Sequence, residues 1–234
     1  MYSDNGTTFI GANHELKRFF TQVQNQNSFA EFCATEQISW HFIPPRAPHF
    51  GGIWESAVKA VKYHLRRVIG QSTLTYEDFY TVLVQVEACL NSRPLSPLSS
   101  DPDDLTPLTP GHFLIGSSLV AVPEPDLSHL NTGRLSKYQH LTQITQHFWK
   151  RWSRDYLTEL QQRSGQGHST PTRVSLGEMV VLVDDNLPPL QWPLGRISEI
   201  HPGADGVVRV VTIKTAKGVA KRAVRKICVL PVAE

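Results

Sequence analysis

Hydrophobic positions along the 234-residue chain fall into two regimes, a helical period over the first two thirds and a strand period over the last sixty residues. From Ala12, the residues Leu16, Phe19, Phe20 and Val23 recur at helical spacing while His14, Glu15, Lys17 and Arg18 face away, which predicts an amphipathic helix. A short second helix is predicted over Phe29 to Thr35. Ile38 to Ile43 alternates in character and stops at Pro44-Pro45, so it reads as a strand. Residues 44–52, PPRAPHFGG, form a loop, and helix resumes near Ile53 with Trp54, Val58, Val61, Leu65 and Val68 as a core-facing stripe. Thr75, with Asp78 three residues on, caps a further helix through Phe79, Leu83, Val86 and Leu90. Prolines then break any regular element from Arg93 to about Asp126, although His112 to Gly116 is apolar enough to be expected to pack on a domain. A long helix over Ser136 to Gln162 carries Tyr138, Leu141, Ile144, Phe148, Trp152 and Leu160 on one side, and Gly165 to Ser169 breaks it. From Val174 the pattern changes to short strands at 178–183, 195–200, 207–214 and 219–223, separated by Gly-containing turns, which predicts a small β-barrel.

Composition narrows the classes without choosing one. A hydrophobic share of 40% is enough for a core, so the chain is expected to fold. Lys and Arg exceed Asp and Glu by only 23 to 21, so a basic surface has to come from local clustering. Cys33, Cys89 and Cys228 lie far apart with no C-x-x-C pair, which argues against a disulfide scaffold or a cysteine-rich zinc module. No apolar run approaches membrane-spanning length, and the first residues lack the pattern of a signal peptide. A nuclear or cytoplasmic location and no membrane partner are the expectations.

Two acids attract attention as chemistry. Asp4 sits in the turn Ser3-Asp4-Asn5-Gly6-Thr7, and Glu55 heads the helix that begins near Ile53. Glu55, Lys59, Lys62 and Arg66 fall within about 60° of one another at 100° per residue, one acid followed by a ladder of cations. That face suits a phosphodiester backbone lying along the helix. Each part has a plainer reading: Asp-Asn-Gly is a generic turn, a first-turn Glu stabilises the helix dipole, and three cations make an ordinary solvated face. His41, His49 and His64 match no common zinc-ligand spacing. Trp149 and Trp152, beside Lys150, Arg151 and Arg154, read as a packing face ahead of a base-stacking one. Lys214, Lys217, Lys221, Arg222, Arg225 and Lys226 cluster late in the tail, where they suit nucleic acid or solvent.

Read together, the local words are more specific than any one of them. S-D-N-G-T-x-F at 3–9 and P-P-x-x-P-H-x-G-G-x-W-E at 44–55, opening a helix with Lys59 and Lys62, resemble the second half of a retroelement integrase catalytic core. L-N-S-R-P-L at 90–95, T-P-G-H-F-L-I-G at 109–116 and W-P-L-G-R-I at 192–197 are similar to the Pao/BEL branch of long-terminal-repeat retrotransposons, and the likeness covers essentially the whole chain. The resemblance implies an α/β, partial ribonuclease-H-like core over 1–91, a Pro-rich connector and long helix over 92–165, and an SH3-like β-barrel over 174–234. It implies an Asp-Asp-Glu triad holding two Mg²⁺, with Asp4 as the second acid and Glu55 as the third, both metal ligands and catalytic in the parent enzyme. It assigns Lys59 and Lys62 to DNA phosphate, to which the helix geometry adds Arg66, and it points to Lys221 and Arg222 in the tail.

The spacing of Asp4 and Glu55 exceeds that of retroviral relatives, and the first Asp with its strands has no counterpart in the sequence. Integrase-type phosphoryl transfer is therefore expected of a parent enzyme and weak or absent Mg²⁺ binding of this chain, so that whether it is an enzyme stays open. The expected partners are DNA, both element ends and target, together with self-association. The alternative is a non-catalytic domesticated DNA- or chromatin-binding remnant, or a protein-interaction module.

Overall fold

The computed structural model describes residues 2–23, 41–44, 51–163, 174–184 and 186–232. The expected helix at 29–35, His49, and most of the loop before Glu55 lie outside the described residues. The chain divides into two compact units, residues 1–62 and 63–234.

In the first unit, strand β1 (Tyr2–Ser3) runs parallel to β2 (His41–Phe42), with Tyr2 opposite His41 and Ser3 opposite Phe42. Helix α1 (Thr7–Val23) lies between them in the chain. A parallel pair demands such a crossover, because a tight turn can only join antiparallel neighbours. The Ile43 amide donates to the Ser3 carbonyl at 3.1 Å and extends the ladder by one bond. The predicted strand is thus present, although only its last part is among the described residues. Helix α2 (Gly52–Ile69) begins in this unit. The amphipathic pattern of α1 formed a helix without burying its whole apolar side, for Phe9, Ile10 and Phe19 are all exposed.

The second unit starts within α2, between Lys62 and Tyr63, and groups helix α3 (Tyr76–Asn91) with the connector and the tail. Thr75 caps α3 as expected: its hydroxyl accepts from the Asp78 amide at 3.3 Å, and the Asp78 carboxylate accepts from the Thr75 amide at 3.1 Å. Asp78 also pairs with Lys137 at 3.1 Å, at the first turn of the long helix α5 (Lys137–Arg163). Val82, Val86 and Cys89 form the buried stripe of α3, while Phe79, predicted for the core, stays exposed.

Between α3 and α5 the connector forms a two-residue ladder, β3 (Ser96–Pro97) against β4 (Pro107–Leu108), and a six-residue helix, α4 (Pro110–Ile115). The apolar run of α4 does not pack down as the sequence suggested, and Phe113, Leu114 and Ile115 are all more than half exposed. The connector then runs along α5, whose residues 141–146 are buried all round. Polar members of that run are satisfied by the connector's own backbone. Gln143 Nε2 donates to the carbonyls of Leu127 and Leu130, each at 2.8 Å, while Gln146 accepts from the Leu127 amide and donates to the Pro125 carbonyl, both at 2.8 Å. Two glutamines thus stand in for the secondary structure that this irregular segment lacks.

The tail is a five-stranded antiparallel sheet of order β8-β7-β6-β5-β9, comprising β5 (Met179–Leu182), β6 (Leu194–Pro202), β7 (Val208–Thr215), β8 (Gly218–Ala223) and β9 (Ile227–Val229). Strands β8 and β9 stand at opposite ends of this order and do not pair, so the sheet does not close into the expected barrel. Register shifts at Ile197–Glu199 and His201–Pro202 bend β6 against β7. Val180 and Leu182 join Ile197, Val211, Ile213, Val224 and Ile227 on one face. Met179, Val181, Cys228 and Leu230 meet Leu157 and Leu160 of α5 on the other, which explains why all four residues of β5 are buried. No helix among the described residues is long and apolar enough to cross a membrane.

Candidate nucleic-acid interface

Asp4 is the residue that follows β1. Its Oδ1 accepts the Gly6 amide at 2.9 Å, closing a side-chain turn, and the Asn5 amide side chain donates to the Ile43 carbonyl at 2.8 Å. The Asp-Asn-Gly turn is therefore fastened to the end of the neighbouring strand, which places an exposed carboxylate at the carboxyl end of a parallel pair. Glu55 lies exposed in the first turn of α2.

Along the same helix Lys59, Lys62 and Arg66 are all exposed, and none of them takes part in an ion pair among the described residues. The helical phase places all three on the face that Glu55 heads. Val58, one residue before Lys59 and predicted for the core, is half exposed. Among the residues of α2 whose burial is described, His64 and Leu65 in its second half are the buried ones.

His64 is the functional-looking histidine that proves to be an interior one. It is buried, stacks edge-on against Phe148 and Tyr63, and its Nε2 lies 3.2 Å from the Asp155 carboxylate. Burial lowers its pKa from the ordinary 6.5; Asp155 opposes that shift, and Arg151 and Arg67 reinforce it. Its Nδ1 has no hydrogen-bond partner. A neutral ring donating from Nε2 to Asp155 meets all three observations. His41 lies exposed on β2.

Two carboxylates fall short of a two-metal centre of the Asp-Asp-Glu kind, which takes three. Among the described residues no group of three or more His, Cys, Asp or Glu side chains is placed to hold a metal ion. Among the described residues, Asp4 and Glu55 by themselves do not supply the donors that two Mg²⁺ ions require.

In the tail, Lys221 lies across from Thr212 and Arg222 across from Val211 on β7. Successive strand residues alternate in direction, so the two cations point to opposite faces of the exposed edge strand β8. Lys221 shares its face with Lys214, two residues from its partner on β7, but Lys214 is already paired with Asp103 at 2.5 Å.

The sequence words that suggested ancestry turn out to be ties within the second unit. Trp192 packs edge-on against Trp149, Trp152 and Tyr156, and its Nε1 donates to Ser92 Oγ at 3.1 Å. Tyr156 donates to the Pro94 carbonyl at 2.5 Å. Arg196, buried, donates to the carbonyls of Asp104 at 3.1 Å, Gly177 at 3.0 Å and Ser99 at 2.7 Å. A Cβ on Gly195 would meet Ile213 Cγ2 at 2.4 Å and the Lys214 carbonyl at 2.7 Å, so this crossing of β6 and β7 admits only glycine. The two Trp residues of α5 are packing residues, as their helical spacing predicted.

Residues 136–230, from the start of α5 to just past β9, match the model of a family described as "Family of unknown function (DUF5641)". No curated protein matches the chain.

Proposed function

We propose that this chain is a DNA-binding part of a retrotransposon integrase of the Pao/BEL type, acting by holding DNA rather than by carrying a complete catalytic centre. The observation that carries this reading is the face of α2 on which Lys59, Lys62 and Arg66 stand exposed below Glu55 and make no ion pair among the described residues. Unpaired cations at successive helical turns are arranged to meet successive phosphates, and their neutralisation releases counterions. Two further features support it. Asp4 follows the first strand of a parallel β-α-β arrangement, the end at which open α/β sheets carry their sites. The tail's five-stranded antiparallel sheet, a four-strand meander with the fifth strand beside the first, supports the reading of an end domain of SH3-like ancestry, although the sheet is open.

Titrating labelled duplex DNA with the full chain over a range of salt concentrations tests the proposal. Binding is expected to weaken with salt, and Lys59→Ala with Lys62→Ala to reduce the slope of log affinity against log salt by about two. Glu55→Gln is expected to leave binding intact. Absence of DNA binding at low salt would sink the proposal and select the second reading, a protein-interaction module, which the exposed Phe113, Leu114 and Ile115 of α4 favour.

A further inference from the structure

A cavity of about 280 Å³ lies in the second unit between α3, α5, the connector at 120–124 and the turn at 188–191. We propose that it binds a compact aromatic molecule of indole size that carries one hydrogen-bonding group and no negative charge. The site is separate from the cations of α2 and does not rest on the reading that the chain holds DNA.

Two independent observations point to a ligand. The first is an orphan hydroxyl: Thr142 lines the cavity, is only 3% exposed, and its Oγ1 finds no hydrogen-bond partner among the described residues. The polar groups beside it are already spent. The nearby Tyr138 hydroxyl gives its proton to Glu124, Thr145 donates to Gln85 Oε1 at 2.5 Å, and Gln146 is bonded at both ends to the connector. A buried hydroxyl without a partner is costly, and a ligand group that pairs with it removes the cost. The second observation is a strained turn. The Gln191 amide donates to the Pro188 carbonyl at 3.3 Å, and inside the turn so closed Leu190 takes a φ of 66°. Glycine would relieve that backbone, so leucine here keeps a side chain at the expense of strain, and Leu190 forms part of the cavity wall. The lining then sets the ligand's chemistry. The rings of Pro123, Pro188, Pro189 and Tyr138 suit a flat apolar body, and the Thr142 hydroxyl suits the single polar handle of an indole N–H. Among the described residues Glu124 is the one charged side chain in the lining, which disfavours an anion. The volume lies at the small end of ligand pockets, which suits one fused ring pair.

Calorimetric titration of the full chain with indole, 1-methylindole and indole-3-acetate, beside melting temperatures of each variant, decides the matter. Indole is expected to saturate one site with a Kd below about 1 mM, and indole-3-acetate to bind more weakly. Thr142→Val keeps the shape and removes the hydroxyl, so it is expected to melt no lower than wild type and to bind indole about fivefold more weakly. The methylated ring, which has no N–H to offer, is expected to bind wild type and Thr142→Val alike. Leu190→Gly relieves the turn and is expected to stay folded while losing affinity for indole. Failure of indole to saturate by about 1 mM would overturn the site, as would indole binding that both variants leave unchanged or tightest binding of indole-3-acetate. Each of these results leaves DNA binding by α2 where it stands, and absence of DNA binding leaves the cavity's assignment intact.

Discussion

At the scale of single residues, burial decides what each polar group does. His64 is held below its ordinary pKa mainly by desolvation, so the unfolded chain takes up a proton at a higher pH than the folded one. Stability tied to this residue is therefore complete above pH 6.5 and is lost as pH falls through 6.5 toward the lower folded value. In urea unfolding at a series of pH values, the stability gap between wild type and His64→Gln is expected to narrow as the solution is acidified. A gap that holds constant from pH 8 to 5 would remove the neutral buried ring from the account. Arg196 is the opposite case, a buried charge satisfied by three carbonyls, two from the β3–β4 loop and one from the turn before β5. Arg196→Met would leave those acceptors unpaired and is expected to destabilise the fold by about 3 kcal/mol. Arg196→Lys should recover little of this, since an ammonium cannot reproduce a planar fork. Equal midpoints for wild type and Arg196→Met would contradict the assignment.

Elements are oriented by a few polar anchors as much as by their apolar stripes. The Thr75–Asp78 box starts α3, and the same carboxylate reaches Lys137 on α5, so one acid both caps a helix and ties it to its neighbour. Thr75→Ala is expected to cost about 1 kcal/mol by thermal unfolding. Asp78→Asn should cost more than Thr75→Ala, because it weakens the link to α5 as well as the box; the reverse order would show that the α3–α5 tie contributes nothing. The box was readable from spacing alone. Which face of α3 becomes the inner one was not, since Phe79 and Leu83 fit a helical stripe as well as Val82 and Cys89 do. Packing of α3 against α5, a contact between segments distant in the chain, separates the two rotations.

For the second unit as a whole, packing runs from α3 through α5 to both faces of β5. Cys89 in α3 and Cys228 in β9 are both fully buried, and burial pushes each thiol up to about 12. Labelling by a thiol reagent along a urea series, followed by peptide mapping, is expected to expose both cysteines at one midpoint, as a single cooperative body requires. Separate midpoints would mean that the sheet and the helices unfold independently.

Local periodicity determined the kind of the four longer helices and of strands β5 to β8, because helix and strand periods are properties of neighbouring residues, whereas β3, β4 and α4 formed where the prolines had suggested no regular element. Sequence also placed Lys59, Lys62 and Arg66 on one helical face, for the same reason. Tertiary structure alone decided that the sheet stays open, that Lys221 and Arg222 face opposite ways, that the apolar α4 is exposed, and that a cavity forms around Thr142 and Leu190. Strand order, strand register and the walls of that cavity join residues distant in the chain. Such pairings are settled by packing that no local pattern encodes.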